Sequence, residues 1–227
     1  MARLHLLRVF CGEDRSGGNP LGVFLDGAQV APERRQAVAA DLGFSETVFV
    51  DDAASGSLRI FTPGVELPFA GHPTVGTAWL LAREGRPVEA LNPPAGEVPV
   101  RYEGEHSFVV GDPSWPPRYE FGELASAAAV EALDGPPPGH DIYGAWAWID
   151  EAAGVLRARV FPVHIGIAED EATGSAAVQL CGRLGRSIDI RQGRGSRIIA
   201  RPSGDGRVEI GGATVLDDVR DYELPRG

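Results

Sequence analysis

The sequence predicts an α+β protein of two similar halves, each a sheet wrapped around a central helix. Three observations carry that prediction. Short β-rich runs bounded by Gly, Pro and Asp recur along the whole chain, whereas helical signals are few. Two segments in corresponding halves look alike: 70–81, ending near Gly85, and 171–180, ending near Gly185. Each has a polar, glycine-bearing turn and then small and apolar residues on nearly all sides, the signature of a buried helix. Each also follows a strand-like run, 58–61 before the first and 155–161 before the second.

Taken in order, strands are expected at 4–10, 21–25, 47–50, 58–61, 98–102, 107–110, 144–149, 155–161, 197–200 and 208–210. A helix is expected over 32–42, because the stretch opens with Pro and an acid, carries Ala37, Val38, Ala40 and Leu42, and stops at Gly43. A second surface helix is expected over 124–133, closed by Asp134-Gly135 and three prolines. The Pro-rich stretch 111–117 marks the join. It gives an N-terminal domain over 1–113 with Glu46 and His72, and a shortened C-terminal domain over 114–227 with Asp170 and Ser175.

Composition removes several function classes. The 227 residues, 43% of them hydrophobic, suffice for a substantial core. Twenty-one basic residues against 32 acidic ones leave a net charge of −11, which argues against nucleic acid or anionic lipid as a partner. All the basic residues are Arg; there is no Lys. A pyridoxal-phosphate enzyme, a Schiff-base aldolase and a Walker-type ATPase each need a Lys amine, so all three are excluded. Cys11 and Cys181 are too few for a disulfide scaffold, and the five histidines form no metal-ligand spacing. No apolar run approaches the roughly 20 residues of a membrane span. The N-terminus lacks a signal-peptide apolar region, so a cytoplasmic location is expected.

The chemistry-bearing residues cluster at the two turns. A helix N-terminus offers unpaired backbone N–H groups and a positive dipole end, so it attracts anions. Gly71 and Gly174 let a ligand approach the backbone closely. Facing each other across a cleft, the two turns would cradle a small carboxylate-bearing molecule; otherwise the glycines serve helix packing and the polar residues serve as caps. His72 sits at the first turn, before Pro73, and Asp170 at the second, five residues before Ser175. Glu46 leads into the apolar run 47–50, and a carboxylate in a dry cleft moves protons near neutral pH. Arg59 reads as a solvated or paired residue, and Asn19-Pro20 reads as a turn.

These stretches resemble the phenazine-biosynthesis (PhzF-like) isomerase family, whose fold is shared with diaminopimelate epimerase. The matching blocks are 18–24, 42–49, 59–63 and 66–76, then Glu169-Asp170-Glu171-Ala172-Thr173-Gly174-Ser175-Ala176 and, more loosely, Gln192-Gly193. The resemblance implies two pseudo-symmetric β-barrel-like domains, each around a central helix, with the active site between them. It also implies that Glu46 is the acid/base, that His72 and Asp170 hold and polarise the substrate, and that N–H groups at Gly71, Gly174 and Ser175 receive a substrate carboxylate. No cofactor is implied, and a homodimer is. The chain departs from the pattern in two ways: Glu171 stands where the family commonly has Pro, and the second half is shorter. Relatives of the same fold that racemise amino acids use two cysteines at the helix starts, where this chain has His72 and Ser175, which disfavours a two-thiol racemase. The expected function is therefore a cofactor-free isomerase that shifts a proton on a small carboxylate-bearing substrate. The alternatives are an amino-acid or hydroxy-acid epimerase with Asp170 as second base, and a non-catalytic small-molecule binder.

Overall fold

The structure, a computed structural model, describes residues 2–223. The first half supplies strands β1 (Ala2–Cys11), β2 (Asn19–Phe24), β3 (Glu46–Asp52), β4 (Ser57–Phe61), β5 (Glu66–Leu67), β6 (Ala90–Leu91), β7 (Val98–Glu103) and β8 (His106–Gly111). The second supplies β9 (Glu120–Glu123), β10 (Tyr143–Asp150), β11 (Val155–Phe161), β12 (Ile188–Gln192), β13 (Ser196–Pro202) and β14 (Val208–Tyr222). Four α-helices accompany them among the described residues: α1 (Pro32–Leu42), α2 (Gly71–Arg83), α3 (Ala127–Glu131) and α4 (Gly174–Leu184).

This is a mixed α+β fold in which one continuous sheet runs β5-β4-β3-β2-β1-β14-β13-β12-β11-β10-β9, with β8 joined to β14 and β7 and β6 continuing from it. Three neighbouring pairs are parallel: β2 with β3, β9 with β10, and β11 with β12. Parallel neighbours need a long crossover. Helices α1, α3 and α4 lie on those three connections. Strand β14 links the halves. Its first part, Val208 to Ala213, pairs with β8, and from Ala213 onward it pairs with β1.

Helices α2 and α4 fill the curve of the sheet. Ten of the thirteen residues of α2 are buried, from Gly71 to Leu81, as its all-round apolar sequence requires. A single buried cluster runs from Leu7, Leu21 and Val75 to Val178, Ile198 and Ile210, so both helices share one apolar interior. Cys11 and Cys181 are buried, free thiols inside this body.

Several expectations need adjustment at their ends. The helix expected over 124–133 is only Ala127–Glu131, because Ser126 caps it at Ala129 and Leu124 instead donates its N–H to Trp146. β12 lies where no strand was expected: Asp189 and Arg191 alternate outward between the inward-facing Ile188, Ile190 and Gln192, so the segment contains no continuous apolar run. β14 extends through the acidic stretch 217–221, held by its register with β1. Arg59 is paired with Glu66.

Candidate active site

The two buried helices meet at their N-termini. A Cβ on Gly174 would lie 2.9 Å from the Gly71 Cα and 3.0 Å from the His72 nitrogen, an approach that only glycine permits. Neither Ala70 nor Thr173, at the two N-caps, donates or accepts a side-chain capping bond. The first-turn N–H groups, which have no intrahelical acceptor, therefore stand at the rim of one small cavity of about 40 Å³. Glu46, Gly71, His72, Asp170, Gly174 and Ser175 all line it. The residues singled out from the sequence thus converge from β3, α2, the segment before α4, and α4 itself.

Glu46 opens β3, whose next four residues are buried and pin the strand between β2 and β4. Its Oε2 lies 3.4 Å from His72 Nε2, and neither atom has a hydrogen-bond partner. The side chains are only 12% and 4% exposed. Burial pushes the Glu46 carboxyl up to about 7, against a smaller downward pull from Ser45. Burial also pushes the His72 imidazole down to about 4, with Asp170 and the Pro20 carbonyl acting the other way. At neutral pH the imidazole is uncharged, so the pair is not an ion pair. With the Pro20 carbonyl accepting from the imidazole, the ring proton sits on Nδ1 and the Nε2 lone pair points at Glu46.

Asp170 is held rigidly. Its Oδ1 accepts from Asn19 Nδ2 (2.8 Å) and its Oδ2 from Thr173 Oγ1 (2.7 Å). The Gln192 amide ties this segment together, donating to the Asp170 carbonyl and to Thr173 Oγ1 (both 2.9 Å) while accepting from the Thr173 N–H. Burial and the nearby Glu46 carboxyl raise Asp170 to about 6, and His72, Thr173 and Asn19 moderate the rise. On either side the chain is drawn outward. Arg159 grips Glu169 with two bonds of 2.8 and 2.6 Å. Glu171 accepts from the Arg194 N–H (2.6 Å) and Ser196 Oγ (2.9 Å). The unexpected carboxylate at 171 thus neither caps α4 nor lines the cavity.

Sequence reasoning left five participants without a site role: Asn19, Ser45, Tyr119, Thr173 and Gln192. Asn19 follows Gly17 and Gly18, whose positive φ angles (61° and 89°) turn the chain so that its amide reaches Asp170 and Ser45. Asn19 and Gln192 are both 2% exposed, and burial at that level demands polar partners. Their positions in Asn19-Pro20 and Gln192-Gly193 were the available signal. Tyr119 offered none, because it follows the Pro-rich stretch with no periodicity around it.

Comparison with known proteins identifies the family. Residues 8–112 match the PhzC-PhzF family of phenazine biosynthesis-like proteins. The chain is 33% identical over 270 residues to trans-2,3-dihydro-3-hydroxyanthranilate isomerase of Pseudomonas aeruginosa, with 93% of this chain and 96% of that protein covered. It is 32% identical over 253 residues to the isomerase of the same name from Pseudomonas chlororaphis, covering 86% and 90%. A phenazine biosynthesis protein of the PhzF family from Bacillus anthracis has the same fold, with a TM-score of 0.79 at 18% identity over 98% of this chain and 99% of that one. With these isomerases matched almost end to end, and the same fold around two abutting helix N-termini, the chain belongs to the phenazine biosynthesis-like (PhzF) family of isomerases.

Proposed function

We propose that this protein is a cofactor-independent isomerase that moves a proton between carbons of a small carboxylate-bearing substrate, with Glu46 as the acid/base. One observation carries the proposal: a buried carboxyl poised at about 7, with its Oε2 unpartnered, in the wall of the cavity where two helix N-termini meet. A base matched to neutral pH is the form such chemistry needs. The Glu46 carboxylate takes a proton from a carbon next to an unsaturated system, the double bond shifts, and the Glu46 carboxyl returns the proton to another carbon on the same face. The N–H groups at Gly71, Gly174 and Ser175 hold the substrate carboxylate without reorganisation. His72 Nε2 and Asp170 accept hydrogen bonds from the substrate's polar substituents.

The substrate class follows from the relatives, so trans-2,3-dihydro-3-hydroxyanthranilate is the first compound to test. The expected result is turnover whose kcat/KM rises with pH through about 7 and is lost in Glu46→Gln. Unchanged turnover in Glu46→Gln would rule out the assignment. One observation favours epimerisation as a second reading: Asp170, raised to about 6 beside Glu46, is a second group able to exchange a proton near neutral pH. Both its oxygens are already engaged, whereas Glu46 keeps one free, which supports a holding role for Asp170. The division at 113/114, read from the Pro-rich stretch 111–117, and a homodimer, implied by the family resemblance, belong to the same proposal. Sedimentation velocity tests the dimer. No helix among the described residues is long and apolar enough to cross a membrane.

A further inference from the structure

The cavity contains two carboxyl groups, a neutral imidazole and no Arg among its lining residues, and the whole chain has no Lys. An anionic substrate entering it finds no countercharge. It must be held by neutral donors, and backbone N–H groups supply only part of that set. Tyr119 is the one phenol on the cavity wall. Its Oη lies 3.0 Å from Ser175 Oγ, at the start of α4. It is 8% exposed, and burial, with Asp170 and Glu46 nearby, raises its pKa, so the phenol keeps its proton at any working pH.

The placement of Tyr119 is built rather than incidental. The linker before it contains Pro113, Pro116 and Pro117, whose missing N–H groups leave it unable to bond through a strand ladder. Gln179, in the middle of α4, substitutes for that ladder. Its amide nitrogen donates to the carbonyls of Pro113 (3.1 Å), Pro116 (3.3 Å) and Pro117 (3.1 Å), and its Oε1 accepts from the Tyr119 N–H (3.0 Å). The helix that offers its N-terminus to the cavity therefore also carries the clamp that sets the phenol above that N-terminus.

We propose that Tyr119 is a substrate-binding residue that reads the substrate's carboxylate: its hydroxyl, paired with Ser175 Oγ and clamped through Gln179, donates to the carboxylate held at the start of α4. This rests on the proposed function in placing a carboxylate there, but it is tested by binding and needs no turnover. The hydroxyl distinguishes a carboxylate, which accepts on both oxygens, from a carboxamide, which accepts on one and presents donors with the other. A hydrogen bond to a charged acceptor is worth on the order of tenfold or more in affinity.

The test is calorimetric titration of wild type, Tyr119→Phe and Gln179→Leu with 2-aminobenzoate and with 2-aminobenzamide, alongside thermal melts. Wild type is expected to prefer the carboxylate. Tyr119→Phe is expected to weaken 2-aminobenzoate about tenfold and leave 2-aminobenzamide within about twofold. Gln179→Leu, which keeps the hydroxyl but frees the linker, shifts the preference in the same direction. A purely structural role would weaken both ligands together. Equal losses for the two ligands, an unchanged preference in Tyr119→Phe, or no affinity of wild type for 2-aminobenzoate would each overturn the proposal. Failure of the proton-transfer role shows up separately, as turnover that survives Glu46→Gln.

Discussion

Replacing Glu46 by Gln should make the protein more stable at pH 8 than at pH 4.5, relative to wild type. The buried carboxyl is raised from its ordinary 4.5 to about 7. Below 4.5 it is protonated in both folded and unfolded chains and contributes nothing to the difference. As pH rises from 4.5 to 7 the unfolded chain releases this proton while the folded one keeps it, so folding weakens with rising pH and levels off above 7. At about 1.36 kcal/mol per pH unit, that interval removes about 3 kcal/mol of stability, a large share of the 5–15 kcal/mol typical of a folded domain. Neighbouring Asp170, raised to about 6, acts in the same direction, and losing the Glu46 charge relieves it too. His72, held near 4, acts oppositely, costing stability as pH falls from 6.5, but it is present in both proteins and cancels. The assay is urea denaturation of wild type and Glu46→Gln from pH 4.5 to 8. The stability difference should swing by about 3 kcal/mol in favour of the variant as pH rises. A difference independent of pH would refute the view that Glu46 is buried at a cost to stability.

Other perturbations read the same site from different sides. Gly174→Ala places a methyl against the Gly71 Cα and the His72 nitrogen, both backbone atoms that cannot yield, and should cost about 1–3 kcal/mol in denaturation as well as ligand binding. Gln192→Leu strips the donors from the Asp170 carbonyl and Thr173 Oγ1 and the acceptor from the Thr173 N–H; a loss of about 1–3 kcal/mol is expected, with turnover falling further than stability alone accounts for. Exhaustive treatment with a chelator should leave turnover unchanged, and restoration of a lost rate by added metal would contradict a purely acid/base mechanism.

Much of this arrangement was legible in the residues. The repeat of glycine-bearing turn and apolar helix is what places Gly71 against Gly174, and the apolar run after Glu46 is what buries it. The rest depended on contacts distant in sequence. Asn19 meets Asp170 across 151 positions, and Tyr119 meets Ser175 across 56; neither separation leaves a local pattern. Glu171 stands where the family commonly has Pro, and only the geometry around the start of β13, with the Arg194 N–H and the Ser196 hydroxyl, shows where that charge is absorbed. β12 was hidden because a strand that faces its alternate residues outward carries Asp189 and Arg191 there without penalty, a pattern short runs of apolar residues do not reveal.

The central claim is that Glu46 moves a proton on the substrate's carbon skeleton, and solvent isotope incorporation tests it most directly. Wild type and Glu46→Gln are incubated with trans-2,3-dihydro-3-hydroxyanthranilate in D₂O, and the products are followed by NMR. Deuterium is expected at a single new carbon position with wild type and at none with the variant. Label that appears equally with both proteins, or at the original carbon with inverted configuration, would contradict it.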